Sequence, residues 1–319
     1  MVSSQNKPRL LIIVGPTAVG KTATSLEVAR LVDGEIISAD SMQVYRGMDI
    51  GTSKVTPEEA QGIRHYLIDV RDPGEPFSVA QYVQLADEAI AEIQARGKTP
   101  VVVGGTGLYI RALVDGLLFE DSGANHSLRK ELQEYAAEHG RKALHRRLAE
   151  IDPESAERIH PNDLRRVVRA LEVYYTTGET MSQKIAKSKL APPRYQGEFY
   201  GLYAPRDLLY ARINQRVNQM VASGLVWEVM QLLAKGFTSY LTSNQAIGYK
   251  EIVQYLSGEM TFKEAVDDLK KATRNYAKRQ LSWFRADPRI HWYDVTAYSS
   301  LRDLAKAIVY HFEKGNSGN

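Results

Sequence analysis

Eight residues near the amino terminus, Gly15-Pro16-Thr17-Ala18-Val19-Gly20-Lys21-Thr22, have the spacing of a phosphate cradle. Small residues let successive backbone amides close round an anion, and the start of the following helix favours negative charge. Lys21 supplies a cation and the Thr22 hydroxyl can hold magnesium. The alternative is a chance glycine turn, but a strand pattern before the loop and a helix pattern after it argue against that. Enzymes that hydrolyse or transfer a nucleotide's phosphate add an apolar strand ending in aspartate to hold the metal. Here the best candidate strand, Val101-Val102-Val103, ends in Gly104-Gly105-Thr106-Gly107-Leu108-Tyr109, which offers amides and a hydroxyl but no carboxylate. Diphosphate binding therefore stands, while ATP hydrolysis loses support. The acid comes instead in Ala39-Asp40-Ser41-Met42-Gln43-Val44-Tyr45, at the carboxyl end of the preceding strand, where parallel sheets place their ligands. Asp40 has three readings: it orients a magnesium shell, takes a proton from a nucleophile, or caps a helix.

Such a loop has to be carried by a parallel sheet, and the chain supplies one. Apolar runs predict strands at residues 9–15, 35–39, 100–103, 199–204 and 290–293. Helical spacing occupies 21–32, 78–96, 206–235, 244–256, 262–284 and 301–312. The alternation predicts an α/β fold, a P-loop-type parallel sheet flanked by helices. From 127 to 177 the strand signal stops, and Gly140, Pro153 and Pro161 cut a helical pattern into short pieces. This reads as an all-helical insertion domain, residues 121–197, within a catalytic core of 1–120 plus 198–319. Residues 184–197, polar, basic and holding Pro192 and Pro193, are predicted to be a loop.

The 319 residues hold no cysteine, which removes disulfides, zinc-thiolate sites and thiol nucleophiles and fits a reducing, cytoplasmic setting. The amino terminus lacks a secretion pattern, and no apolar stretch approaches the roughly 18–20 residues of a membrane span, so no membrane association is expected. The seven histidines are scattered without zinc-site spacing. His160, ahead of Pro161, suits a turn or cap. Net charge is only +3, but the cations are unevenly placed. Lys271, Arg274 and Lys278 fall on or near one side of the 262–284 helix, with Arg285 beyond and Tyr276, Trp283 and Phe284 interleaved as core residues. A second cluster in the insertion comprises Arg129, Lys130, Arg141, Lys142, Arg146 and Arg147, then Arg165, Arg166 and Arg169. A solvated helix face explains a charge run equally well, but two separated basic faces suit a bent RNA.

In the order GPTAVGKT, ADSMQVYRGMDIGTSK and VVVGGTGLY, followed by IHPNDLRRVVRALEV, QAIGYKE and ATRNYAKRQLSWFR, the chain resembles the tRNA dimethylallyltransferase family. The similarity runs through nearly the whole length. It is least typical at residues 119–126, FEDSGANH, where the family more often carries a proline-containing run. The resemblance implies that residues 15–22 hold the diphosphate of dimethylallyl diphosphate, with Thr22 near Mg2+, and that Asp40 is the general base on an adenine's exocyclic amine. Ser41, Met42 and Gln43 would help hold that base, and Thr106 would reach the donor's bridging oxygen. Arg216 would neutralise the leaving diphosphate; without the resemblance, Arg212 and Arg216 read as an ordinary charged helix face. Arg129, the stretch Leu164, Arg165, Arg166, Val167 and Val168, and the loop holding Gln245 and Gly248 match positions that meet a tRNA anticodon arm. The expected partners are the tRNA anticodon stem-loop and the prenyl donor, with the protein acting as a monomer. Three rival readings are a small-molecule kinase of shikimate-kinase type, prenylation of free adenine nucleotides, and a non-catalytic RNA-binding switch.

Overall fold

The computed structural model describes residues 7–116, 125–190, 192–237 and 243–315. Its strands are β1 (Arg9–Val14), β2 (Gly34–Ala39), β3 (His65–Tyr66), β4 (Thr99–Gly104), β5 (Gln196–Tyr203) and β6 (Ile290–Asp294). They pair in the order β3-β2-β4-β1-β5-β6, and every pair is parallel. Strand β1 reads Leu-Leu-Ile-Ile-Val without polar alternation because it is covered on both faces. Leu10, Ile12 and Val14 join one apolar core, while Leu11 and Ile13 join another on the opposite face. Parallel pairing brings the carboxyl ends of β1, β2 and β4 to one edge, so that the loops after Val14, Ala39 and Gly104 meet there.

The helices are α1 (Lys21–Leu31), α2 (Pro57–Ala60), α3 (Val79–Ala95), α4 (Gly107–Asp115), α5 (His126–His139), α6 (Arg141–Ile151), α7 (Pro153–Arg158), α8 (Leu164–Thr177), α9 (Met181–Leu190), α10 (Arg206–Ala222), α11 (Leu225–Ala234), α12 (Tyr249–Leu256), α13 (Phe262–Arg285) and α14 (Leu301–Lys314). Contacts divide the chain into two compact units, residues up to Val114 with those from Arg194 onward, and residues Asp115–Pro193. The first holds the sheet and both of its cores. The second is all-helical, with its own small core around Leu132, Leu144, Leu148, Val167, Val168 and Leu171. No helix among the described residues is long and apolar enough to cross a membrane.

Three sequence expectations need correcting. Residues 184–197 are not all loop, because α9 runs through Leu190 and the prolines lie beyond its end. Thr180 and Gln183 cap its start reciprocally, Gln183 N donating to Thr180 Oγ1 at 3.2 Å and Thr180 N to Gln183 Oε1 at 3.0 Å. The expected helix 206–235 is two helices, broken at Ser223-Gly224 where the chain turns through φ 99°. The expected helix 244–256 opens as a 3-10 turn, Ser243–Gln245, before α12. Elements β3, α2 and α4 went unpredicted: two residues and four are too short for a periodicity, and α4 begins inside the glycine motif.

Gly104 pairs with Ala39 at the carboxyl ends of β4 and β2, and a Cβ there would stand 2.1 Å from the Ala39 carbonyl oxygen. Backbone cannot swing aside as a side chain can. Gly104→Ala is expected to cost about 1–3 kcal/mol, read as a lower urea midpoint with an unchanged slope.

Candidate active site

The three loops at the sheet's edge enclose a cavity of about 680 Å³. Its walls include Thr17, Lys21, Thr22, Asp40, Met42, Arg216 and Gln280. Lys21 opens α1, whose first amides have no capping side chain, so the helix start faces the cavity with its positive end unsatisfied. The Lys21 ammonium folds back to donate to the carbonyls of Gly15 at 3.0 Å and Pro16 at 2.8 Å. Loss of hydration pulls its pKa down to about 7, helped by Arg216 and opposed by Asp40. Burial also lowers the Arg216 guanidinium, against the pull of Asp40 and Glu59. Two cations strained in this way are what an entering diphosphate relieves.

Asp40 reconciles two of its readings. Its Oδ1 accepts from Met42 N at 2.9 Å and from Gln43 N at 3.4 Å, which fixes the turn after β2. No helix follows, so the group is a turn brace, not a helix cap. Its Oδ2 makes no hydrogen bond among the described residues and remains free to take a proton. The Thr106 hydroxyl accepts from Ser41 N at 3.1 Å and lies within hydrogen-bonding reach of the Tyr276 hydroxyl. Thr106 follows Gly105, which lines the cavity, but is not itself among the lining residues. The side-chain amide of Gln43, expected at the substrate base, is engaged by its own surroundings. It accepts from Ser38 Oγ at 3.0 Å and donates to Thr52 O at 3.2 Å.

Several residues here escaped the sequence reading. Gln280, almost fully buried, accepts from Thr17 N at 2.9 Å and donates to Gly105 O at 3.1 Å, thereby tying the phosphate loop to the glycine loop. A Cβ at Gly105 would stand 2.0 Å from the Gln280 amide nitrogen. The signal was present: Gln280 shares the buried face of α13 with Ala265, Leu269, Ala277 and Phe284, where an amide needs a polar partner. Ser53 Oγ accepts from Arg216 Nε at 2.9 Å and aims that side chain. Glu228 accepts the amides of Asp49, Ile50 and Gly51 at 2.7–3.1 Å and the Tyr249 hydroxyl at 2.6 Å, which holds the loop after Asp40 in shape. Tyr276, assigned to the core, lines the cavity, and its hydroxyl pKa is raised by burial and by the charge of Asp40. Of its aromatic neighbours Phe284 is core, whereas Trp283 is 40% exposed.

A family model described as IPP transferase matches residues 43–287. A tRNA dimethylallyltransferase of Carboxydothermus hydrogenoformans is 50% identical over 301 residues, covering 94% of this chain and 96% of the relative. The chain belongs to the tRNA dimethylallyltransferase family. The full-length tRNA isopentenylpyrophosphate transferase of Bacillus halodurans has a crystal structure that is 46% identical, covers 98% of this chain and 99% of its own, and superposes with a TM-score of 0.73. A eukaryotic dimethylallyltransferase acting on tRNA is 30% identical, covers 90% of this chain and 74% of its own, and gives 0.76. Family membership removes the kinase, free-nucleotide and non-catalytic readings.

The residues this family resemblance assigns to tRNA fall into distinct surroundings. Gln245 is exposed in the 3-10 turn and lines the cavity, and Gly248 is buried at the start of α12. On α13, Lys271 and Lys278 are exposed, while Arg274 donates to Asn214 at 2.7 Å. In the helical unit Arg165 and Arg166 are exposed and Leu164 is partly so. Val167 and Val168 are 1% and 3% exposed within that unit's core, so their side chains cannot touch RNA. Arg129 is tied to the buried Glu172, and His160 accepts Asn162 N in a turn, as expected. Of the atypical run, residues 119–124 lie outside the described residues.

A bound diphosphate restores the charge of Lys21, so binding takes up a proton above pH 7 and its affinity falls as the pH rises. Calorimetry with inorganic pyrophosphate between pH 6 and 9 should show this as a slope of up to about tenfold per pH unit. Lys21→Met should lack it, the ligand's own ionisation being common to both proteins.

Proposed function

We propose the following division of labour in the transfer of a dimethylallyl group from its diphosphate to the exocyclic amine of the tRNA adenine 3′-adjacent to the anticodon, the activity of this family. The adenine leaves its stack in the loop, at a cost of a few kcal/mol, and settles against Ser41 and Met42. Its amine attacks the allylic carbon. The carbon–nitrogen bond forms, the carbon–oxygen bond breaks, and the proton passes to Asp40 Oδ2. The departing pair of electrons stays on the diphosphate, whose charge is met by the amides of residues 15–22, by Lys21 and by Arg216, with the Thr106 hydroxyl donating to the bridging oxygen. Fixed donors placed where charge develops contribute most of the barrier reduction.

The donor set also fits Mg2+. Thr22 offers a hydroxyl at the cavity wall, and no cluster of three acidic or histidine side chains competes for a metal among the described residues. Magnesium is suited to such a site, keeping its waters and taking phosphate oxygens with few protein ligands. When bound it would neutralise charge on the diphosphate. The tRNA is held by Arg129, Arg165 and Arg166 of the helical insertion and by Lys271, Arg274 and Lys278 of α13, with Gln245 and Gly248 near the target base. One copy supplies every residue named, so the reading calls for a monomer, and a tRNA substrate fits work in the cytoplasm.

One observation carries this reading: the free Asp40 oxygen, Lys21 and Arg216 face a single cavity, which among the described residues is lined by no second carboxylate such as a phosphate-hydrolysing site would have. Incubation with tRNA, magnesium and dimethylallyl diphosphate, followed by mass spectrometry of the digested nucleosides, tests it. Asp40→Asn should lower turnover by about a hundredfold or more, while tRNA affinity stays within a factor of about two. Turnover unchanged in Asp40→Asn would remove the base from the scheme.

A further inference from the structure

The helical unit contains a charge arrangement unlike its surface ion pairs. Glu172, on α8, is 1% exposed. Its Oε1 accepts from Asn125 N and from Arg129 Nε, each at 2.9 Å, and its Oε2 accepts from Arg169 Nη1 at 2.8 Å. Burial pushes the carboxyl pKa up, but the two arginines and the Asn125 amide outweigh it and hold it below the usual range. The carboxylate is therefore charged throughout the neutral range, and it has two cations for one anion.

A buried carboxylate is a poor way to gain stability, since an apolar residue of similar volume serves as well or better. What it provides is geometry. Each guanidinium carries five N–H donors in a rigid plane, and one from each is used on Glu172. The side chains of Arg129 and Arg169 remain 35% and 38% exposed, so their outer edges reach solvent from a common anchor. An unanchored arginine must be ordered from many rotamers when it binds, whereas these two are already fixed. A net positive pair presenting planar donors is matched to the oxygens of a phosphodiester.

We propose that Glu172 is a positioning residue that presets Arg129 and Arg169 as a fork for one backbone phosphate of the tRNA. This rests on the reading that the insertion meets the anticodon arm, and it adds Arg169 and Glu172 to that surface. Glu172 does not itself touch RNA. It acts only through the two arginines, so its loss and theirs have the same effect on binding.

The test measures tRNA affinity of the full-length protein across a series of salt concentrations. Glu172→Gln keeps the side chain's shape but places an amide hydrogen against an arginine. It should weaken tRNA binding by about fivefold to tenfold and flatten the plot of log affinity against log salt by about one unit. Pyrophosphate binding should be unchanged. The double variant Arg129→Ala with Arg169→Ala should do the same, and adding Glu172→Gln to it should weaken binding no further. Arg169→Lys, which keeps charge and fold but not the planar fork, should lose affinity while keeping its salt slope. Arg165→Ala reports on the insertion surface independently. If it weakens tRNA binding while Glu172→Gln binds with wild-type affinity and slope, Glu172 is a structural clip and the fork is wrong. If neither Arg165→Ala nor the double variant alters affinity, the insertion does not meet tRNA and both ideas fall.

Discussion

Everything at this site depends on two cations, Lys21 and Arg216, that share a cavity in which Asp40 is the one lining carboxylate among the described residues. Lys21 is pinned to two carbonyls, and Arg216 repels it across the same space. Neither would be tolerated in a core that only needed to be stable. The protein sustains the arrangement because the sheet is over-determined. Strand β1 is buried on both faces and registered on both sides by parallel partners, so the loop at its end cannot relax away from the charge. Stability in the sheet thus holds the electrostatic strain in the loop, and a diphosphate is the ligand that relieves it.

A second layer of side chains turns three separate loops into one cradle. Gln280 joins the phosphate loop to the glycine loop, Ser53 aims Arg216, and Glu228 gathers three successive amides of the segment after Asp40. None of these groups need touch a substrate. They remove freedom from those that do, which matters because a transferred group and its acceptor must be aligned within a fraction of an ångström. Helix α13 contributes to both levels, with Gln280 facing inward and Lys278 outward two residues away.

What the sequence disclosed and what it hid follow a physical rule. The strand, glycine loop and helix around Lys21 were legible because each is encoded locally, in apolar runs and small residues of fixed spacing. Asp40 was legible because a residue just past a parallel strand must face the crevice. Gln280, Glu228 and Ser53 were not, since their partners lie 263, 177–179 and 163 positions away, and only folding brings such groups together. Charge runs were legible only in part. Arg129 and Arg169 read as part of a basic face suited to RNA, and nothing in the sequence showed that a buried glutamate holds both. Val167 and Val168 lay inside a matching motif and are core, because a helix that offers arginines on one face must bury the other. The prolines after Leu190 hid α9, whose Thr180 and Gln183 cap was in plain view.

The depressed basicity of Lys21 also makes the residue reactive. Burial that disfavours the charged form raises the share of neutral amine, and this amine lies at the wall of the cavity. Surface lysines, charged almost completely under the same conditions, are poor nucleophiles by comparison. An amine at the wall of the phosphate cradle is therefore covered whenever a diphosphate occupies it.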